Sequence, residues 1–534
     1  MSENNLATSE QNIGSQCGNL SYHSPLKPVA PAQVNPENPT AEVKPNPKIT
    51  IDGKSYDFKM GDTIMQVAER YKLHEEIPRY CYHPSMPIAG TCRMCTVEIE
   101  KAPKLMTSCS TPAADGMVVH LNSEKVRKSR TGVMEFLLTN HPLDCPVCDK
   151  AGECELQNYN YEYGPSTSRF VEDKRVFEEA TTKLLSDKVT LNMNRCVHCE
   201  RCVRFTEDVT KTNDLLMVNR GYKKELITPD DKGLTSDYQG CLTDFCPVGA
   251  LTFNDFRFQK RVWFLEKKSS ICDGCSKGCN IEVHSDKDVV YRLLPLYNEH
   301  INKHWMCDEG RVSYHHPMNL GRIFSPMLAF QGGIHASSFE TIIEATTTKI
   351  KNAKEVTILI GTDSTLEEAQ SLMEKMPKVF NRTFIFKAFN GTNGIKSSSE
   401  DEKLDHLLRM KDKTANTRGM EKLGLKIISE SEKIESDLVI CFSQGRSKFN
   451  FTPYLTTGKT EFILWGVWMN DQIEHLIPEK IKAIIPGLAT VEKSGRYINT
   501  QGITQRFQKA ITHKGEALDV DSVITKFEQH NHQH

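Results

Sequence analysis

A chain of 534 residues is long enough for several domains. Its formal net charge of −2 and mean hydropathy of −0.47 give no charge-based reason to expect a nucleic-acid partner. No apolar run approaches the ~20 residues of a membrane-spanning helix; stretches such as Phe462–Met469 are far shorter. The polar start, Met1–Ser9, lacks the basic and apolar regions of an export signal, so the eighteen cysteines are expected to be reduced thiolates rather than disulfides.

Residues 1–46 hold many Asn, Pro, Ser and Gln with few apolar anchors, and read as a disordered tail in which Cys17 is a bystander. Order begins at Lys48. Ile49 and Ile51 alternate up to Asp52-Gly53, a hairpin turn signal, with Tyr56 and Phe58 beyond it. Asp62 is expected to cap a helix whose Ile64, Val67, Ala68 and Tyr71 share one face. A cysteine loop and strands at Thr96–Ile99 and Met117–Leu121 complete a small β-grasp domain over 47–123. A helix over 124–140 delivers His141 to a second domain, 124–165, and the domains 166–262 and 265–322 surround two more cysteine groups. After Ile323 the cysteines stop, apart from Cys441. Buried-strand candidates (Val356–Ile360, Leu438–Phe442, Phe462–Trp465, Ala483–Ile485) then alternate with helical stretches in an α/β domain, 323–534. The fold class is thus α+β and α/β, multidomain. No GxGxxG or P-loop marks a nucleotide site. The histidines His530, His532 and His534 read as a solvated tail.

Fifteen cysteines fall into four sets with iron–sulfur spacing. The first is Cys81-x10-Cys92-x2-Cys95-x13-Cys109, one close pair with two distant partners. This suits a [2Fe–2S] cluster, with Gly90 letting the backbone pass near the sulfides; a zinc knuckle would pair two CxxC units. The second is His141-x3-Cys145-x2-Cys148-x5-Cys154. A histidine before a proline is ordinarily a turn residue, but His141 stands where three cysteines lack a fourth ligand, which points to a [4Fe–4S] cluster. His198 and His284 read as surface or supporting residues.

The third set, Cys196-x2-Cys199-x2-Cys202-x43-Cys246-Pro247, is the remnant of a two-cluster ferredoxin. In such proteins the fourth cysteine of each CxxCxxCxxxCP motif serves the other motif's cluster. Here the four ligand positions of one cluster are Thr206, Ser236, Gln239 and Leu242, while those of the other remain. A single [4Fe–4S] site is expected, with Cys241 out of register and not a ligand. Arg195, Arg201 and Arg204 nearby read first as solvated charge, and alternatively as charge that raises a cluster's potential. The fourth set is Cys272-x2-Cys275-x3-Cys279-x27-Cys307, a further [4Fe–4S] candidate for which a zinc ribbon is the alternative.

Taken together, these spacings from Lys48 to about Met318 resemble the large iron–sulfur subunits, of the G type, found in NADH:quinone oxidoreductase, respiratory complex I. The resemblance implies one [2Fe–2S] and three [4Fe–4S] clusters. The fourth would lie off the electron path as an extra site of some members. Electrons would enter from the NADH/FMN-binding subunit and pass through the first, second and third clusters toward quinone-side iron–sulfur subunits. It also implies a peripheral subunit on the cytoplasmic side of the inner membrane, with no catalytic residue of its own. The segment Val491–Gln505 is similar to E-x-x-G-x-Y/F-x-N-x-x-G-x-x-Q of the molybdopterin-oxidoreductase fold, through Glu492, Gly495, Tyr497, Asn499, Gly502 and Gln505. The stretch after Cys307 is too short for a working enzyme of that kind, so no molybdenum cofactor is expected. The competing readings are a catalytic subunit of an NAD-linked formate dehydrogenase, or an iron-only hydrogenase, and a zinc-stapled structural protein. The first two lack their catalytic parts, Cys441 being the only cysteine late in the chain.

Overall fold

Period-two burial of Ile49 and Ile51 makes β1 (Lys48–Ile51), which turns at Asp52-Gly53 into β2 (Lys54–Asp57). Both turn residues have positive φ, 45° and 79°, as a tight hairpin of right-twisted strands demands. The computed structural model describes residues 46–534 except 180, 230–231, 319–320, 391–402, 430–431, 448, 450, 452–458, 468–479, 514 and 534. The expected tail with Cys17, and His534, therefore lie outside the described residues.

Helix α1 (Ile64–Arg70) is capped by Thr63, not by Asp62 as the sequence suggested. Gln66 decides it, because its side chain returns a bond to the Thr63 N–H and closes a capping box. Asp62 instead accepts from Arg70 at 2.6 Å. Tyr71 ends the helix and leaves the buried face, its hydroxyl donating to the Asp57 carbonyl. Strands β3 (Thr96–Ile99), β4 (Met106–Thr107) and β5 (Met117–His120) complete a sheet ordered β2-β1-β5-β3-β4, with β1 and β5 parallel. Helices α2 (Glu124–Asn140) and α3 (Glu155–Tyr163) come next. The fully buried Arg130 fastens them, bonding the Tyr163 hydroxyl and the Leu121 carbonyl.

The chain continues through β6 (Lys183–Leu184), β7 (Val189–Leu191), the short helix α4 (Arg201–Arg204), β8 (Leu216–Val218), β9 (Glu225–Ile227), α5 (Gln239–Phe245) and β10 (Leu251–Phe253). They form a sheet β10-β7-β6 and a hairpin β8-β9. An antiparallel sheet of β11 (Glu266–Ile271), β12 (Asn280–Asp286) and β13 (Val289–Pro295) precedes α6 (Asp308–Arg311).

The last part holds β14 (Met327–Phe330), β15 (Gly333–Ala336), α7 (Phe339–Asn352), β16 (Val356–Gly361), α8 (Leu366–Phe380), β17 (Ile385–Phe389), α9 (Thr417–Lys422) and β18 (Lys426–Ile427). It ends with β19 (Leu438–Ser443), β20 (Glu461–Gly466), β21 (Ile481–Pro486), the hairpin of β22 (Gly495–Ile498) and β23 (Thr504–Phe507), and α10 (Val520–Gln533). The eight-stranded sheet runs β15-β14-β21-β20-β19-β16-β17-β18, and β21 through β18 are parallel. All four buried-strand candidates lie in it. Strand order reverses between β16 and β19, the switch point at which open α/β sheets take their ligands. Here that crevice holds the chain's own carboxylate. Asp363, 1% exposed, accepts from the N–H of Arg446 (2.8 Å), the N–H of Ser447 (2.9 Å) and the Ser443 hydroxyl (3.1 Å).

His530 and His532 belong to the last turn of α10, where His532 is exposed and His530 half-buried. Val523, Ile524 and Phe527 bury one face of that helix, and Asn531 bonds the Val379 carbonyl of α8.

Candidate metal centres

In the first set the four thiols are coupled to one another: Cys92 and Cys109 hold Cys81 well below its ordinary range, and Cys109 brings Cys95 down to about 7. The same coupling, with burial, pushes Cys92 and Cys109 up, so the four sulfurs face one another closely enough to share protons. A cationic core between them would draw all four toward thiolate. Gly90 sits at φ +66°, a left-handed conformation that L side chains rarely adopt.

The second set starts where α2 stops, with His141 as its C-terminal cap. Burial, with help from Arg195, lowers the imidazole to about 4, so the ring is neutral and has a lone pair to give. The ring lies near Arg195 and Asp144, while Cys148 interacts with Cys145 and Cys154. Cys145 is exposed and Cys154 caps α3. Gly249, from the third set's loop, comes so close that a Cβ there would lie 2.2 Å from the Cys148 sulfur.

Cys196, Cys199, Cys202 and Cys246 line one small apolar cavity. Burial pushes Cys196 and Cys199 up to about 12, a cost that a cationic core would reverse by deprotonating them. The four erased positions are packed as core. Thr206, Ser236, Gln239 and Leu242 are all buried, and Gln239 both accepts from the Ser186 hydroxyl and donates to the Leu234 carbonyl. Cys241 points elsewhere, its sulfur bonding the Met306 backbone on both sides.

Cys272, Cys275, Cys279 and Cys307 line a second cavity. Only glycine fits at 310, where a Cβ would stand 2.9 Å from the Cys272 sulfur. The loop between Cys275 and Cys279 is braced from the far end of the chain. Thr500 N–H bonds the Ser276 carbonyl (2.8 Å), and the Gln505 amide bonds the Gly278 carbonyl (2.6 Å). Glu492 of the same segment forms a buried 2.6 Å ion pair with Arg322. Cys441 stands apart, buried in β19. Among the described residues, no group of three or more His, Cys, Asp or Glu is arranged for a single metal ion.

Comparisons with known proteins run in the same order along the chain. Residues 46–124 match the 2Fe-2S iron-sulfur cluster binding domain, and 130–169 the NADH-ubiquinone oxidoreductase-G iron-sulfur binding region. Residues 186–252 match the ferredoxin-like domain of NADH-quinone oxidoreductase subunit 3, and 267–315 the NDSU1/NuoG-like 4Fe-4S domain. The G subunit of NADH-quinone oxidoreductase from Rickettsia bellii is 38% identical over 360 residues, covering 67% of this chain and 50% of that protein. The chain belongs to the G-subunit family of NADH-quinone oxidoreductases. It spans about half the length of the curated relatives it matches. The 75 kDa subunit of NADH-ubiquinone oxidoreductase from Reclinomonas americana is 36% identical over 365 residues, 68% of this chain and 52% of that one. A chain of an NAD+-reducing [NiFe]-hydrogenase crystal structure aligns at 26% identity and TM-score 0.34, over 40% of this chain and 91% of its own.

In this G-subunit family member, the three arginines are not solvated as their sequence context suggests. Arg195, Arg201 and Arg204 are 7%, 4% and 9% exposed. Arg195 pairs with Asp144 of the second set's loop at 2.9 Å. Arg204 bonds the carbonyls of Cys81 and Pro87, and that of Cys199. The Glu155 N–H, next to Cys154, donates to the Pro247 carbonyl, next to Cys246 (2.9 Å). The third set's loops thus touch those of the first on one side and those of the second on the other.

His284 is buried, not at the surface, and bonds Glu282 and Arg292. Arg292 in turn grips Glu153, the neighbour of Cys154, at 2.7 and 3.1 Å. Arg292 and Glu155 are not singled out by sequence reasoning. Their position beside a cysteine or in the middle of a strand is visible there, but their partners lie far off along the chain.

Proposed function

We propose that this chain is the electron-relay subunit of NADH:quinone oxidoreductase, complex I, passing electrons from the NADH/FMN-binding subunit toward quinone-side iron–sulfur subunits. The observation that carries it is the unbroken row of cysteine loops, first to third to second, joined through buried arginines and the Glu155–Pro247 bond. We place the sets in the order first, third, second, where the sequence reading has first, second, third. Bound iron–sulfur clusters would supply one-electron carriers at these sites.

The residues present fit such clusters. Cys81, Cys92, Cys95 and Cys109 would hold a [2Fe–2S] cluster; His141, Cys145, Cys148 and Cys154 a [4Fe–4S] cluster. Cys196, Cys199, Cys202 and Cys246 would hold another, and Cys272, Cys275, Cys279 and Cys307 an off-path fourth. On this reading the divisions 47–123, 124–165, 166–262 and 265–322 each carry one cluster, and 323–534 carries none. No molybdenum cofactor is proposed. Among the described residues no helix is long and apolar enough to cross a membrane, and we assign a peripheral place on the cytoplasmic face of the inner membrane.

Anaerobic iron, sulfide and molybdenum analysis, with paramagnetic resonance of the reduced protein, tests the reading. About 14 irons per chain and no molybdenum are expected from the cluster types assigned. Zinc in place of iron would sink it.

A further inference from the structure

Arg201 leads into Cys202, and its guanidinium lies where three ligand loops meet. One Nη donates to the carbonyl of Phe245, the residue before Cys246, at 2.9 Å. The other donates to the carbonyl of Tyr82, the residue after Cys81, also at 2.9 Å. Both stand 3.4 Å from the carboxylate of Glu155, the residue after Cys154. Burying this charge is costly, and its ion-pair partner, Glu155, is part-exposed and held at a long distance. A lysine could not make these contacts, because a point charge lacks the flat, several-armed donor fork that reaches three ways at once.

We propose that Arg201 is a positioning residue shared by the first, second and third cysteine sets, fixing their loops against one another and lending one positive charge to all three. The inference rests on the relay reading. In a desolvated setting a fixed charge acts over longer distances than in water, so it favours the added electron at each neighbouring site. The fourth set has no contact of this kind with Arg201 among the described residues, and so serves as an internal control.

The test uses the full-length chain with its clusters loaded, as wild type, Arg201→Met and Arg201→Lys. Iron content, resonance-monitored redox titration and amide exchange are read on each. Arg201→Met is expected to lower the midpoint potentials of the first three sets together and leave the fourth unmoved. Arg201→Lys keeps the charge, so its potentials stay near wild type, while exchange in the Tyr82, Glu155 and Phe245 loops speeds up about tenfold. A Met variant that keeps its iron and shifts only the third set, or none, overturns the proposal. Should the Met variant fail to load, the lysine variant decides, and wild-type protection in all three loops overturns it. A wild-type chain that binds no iron strikes the relay reading itself, before any variant is compared.

Discussion

Arg204 donates to the carbonyl of Cys81, 123 positions earlier in the chain, and with the same Nη to the carbonyl of Cys199. One side chain therefore ties the backbone of the first cysteine set to that of the third. Arg204→Ala would leave these buried acceptors without a donor. A loss of about 2–4 kcal/mol is expected, since each buried unsatisfied group costs about 1–3 kcal/mol. Thermal unfolding of the apo chain checks it, and Arg204→Lys should recover only part of the loss.

Gly249→Ala places a methyl where the Cys148 sulfur now lies, 2.2 Å from the ideal Cβ. The expected result is loss of the second site's metal alone, about four irons per chain on the proposed cluster type. Iron analysis measures it, with the first set's resonance signal as the reference that should persist.

His83 stacks on Trp305 at 5.3 Å, and burial together with His304 lowers its imidazole to about 3. A histidine whose folded value lies below its unfolded one gives full stability above the unfolded value, 6.5. That stability is lost as pH falls from there toward about 3, because the unfolded chain takes up the proton first. His83→Phe keeps the stack and removes the titration. Its stability should fall less steeply across that window, by up to about 1.4 kcal/mol per pH unit. Denaturation midpoints at several pH values would show no difference in slope if the reading is wrong.

Asp363→Ala empties the switch-point crevice while leaving the Arg446 and Ser447 N–H groups and the Ser443 hydroxyl aimed into it. The variant should lose about 2–4 kcal/mol, as expected for breaking a buried charge-assisted network. Acetate or formate should then raise its melting temperature more than it raises that of the wild type. Equal shifts in both proteins would remove the idea of an internal anion.

The Asp52-Gly53 turn is a local signal, and the structure follows it; cysteine spacing is local too, and the third and fourth sets each line one cavity. The same holds for the runs that became β16, β19, β20 and β21, because continuous apolar stretches of that length read as buried strands. Asp62 against Thr63 is a closer contest, since both residue types cap helices; the side chain of Gln66 settles it three positions later. The arginines defeat sequence reasoning for a different reason. Charge next to cysteine is usually solvated, and nothing local announces acceptors as distant as the Tyr82 or Pro87 carbonyl. Spatial order among the cysteine sets is likewise invisible in a one-dimensional spacing.

Gln505 reaches back 227 positions to the Gly278 carbonyl, and Thr500 to that of Ser276. During synthesis at about 5–20 residues per second, the fourth cysteine loop would thus wait roughly 10–45 s for its braces. The loops of the other three sets close on one another within residues 79–247, well before that point. On a ribosome, the first three cysteine sets can therefore be assembled while the fourth is still open. In a nascent chain halted before Val491, an alkylating probe should react freely with Cys272, Cys275 and Cys279, while the buried Cys81, Cys148, Cys199 and Cys246 stay protected.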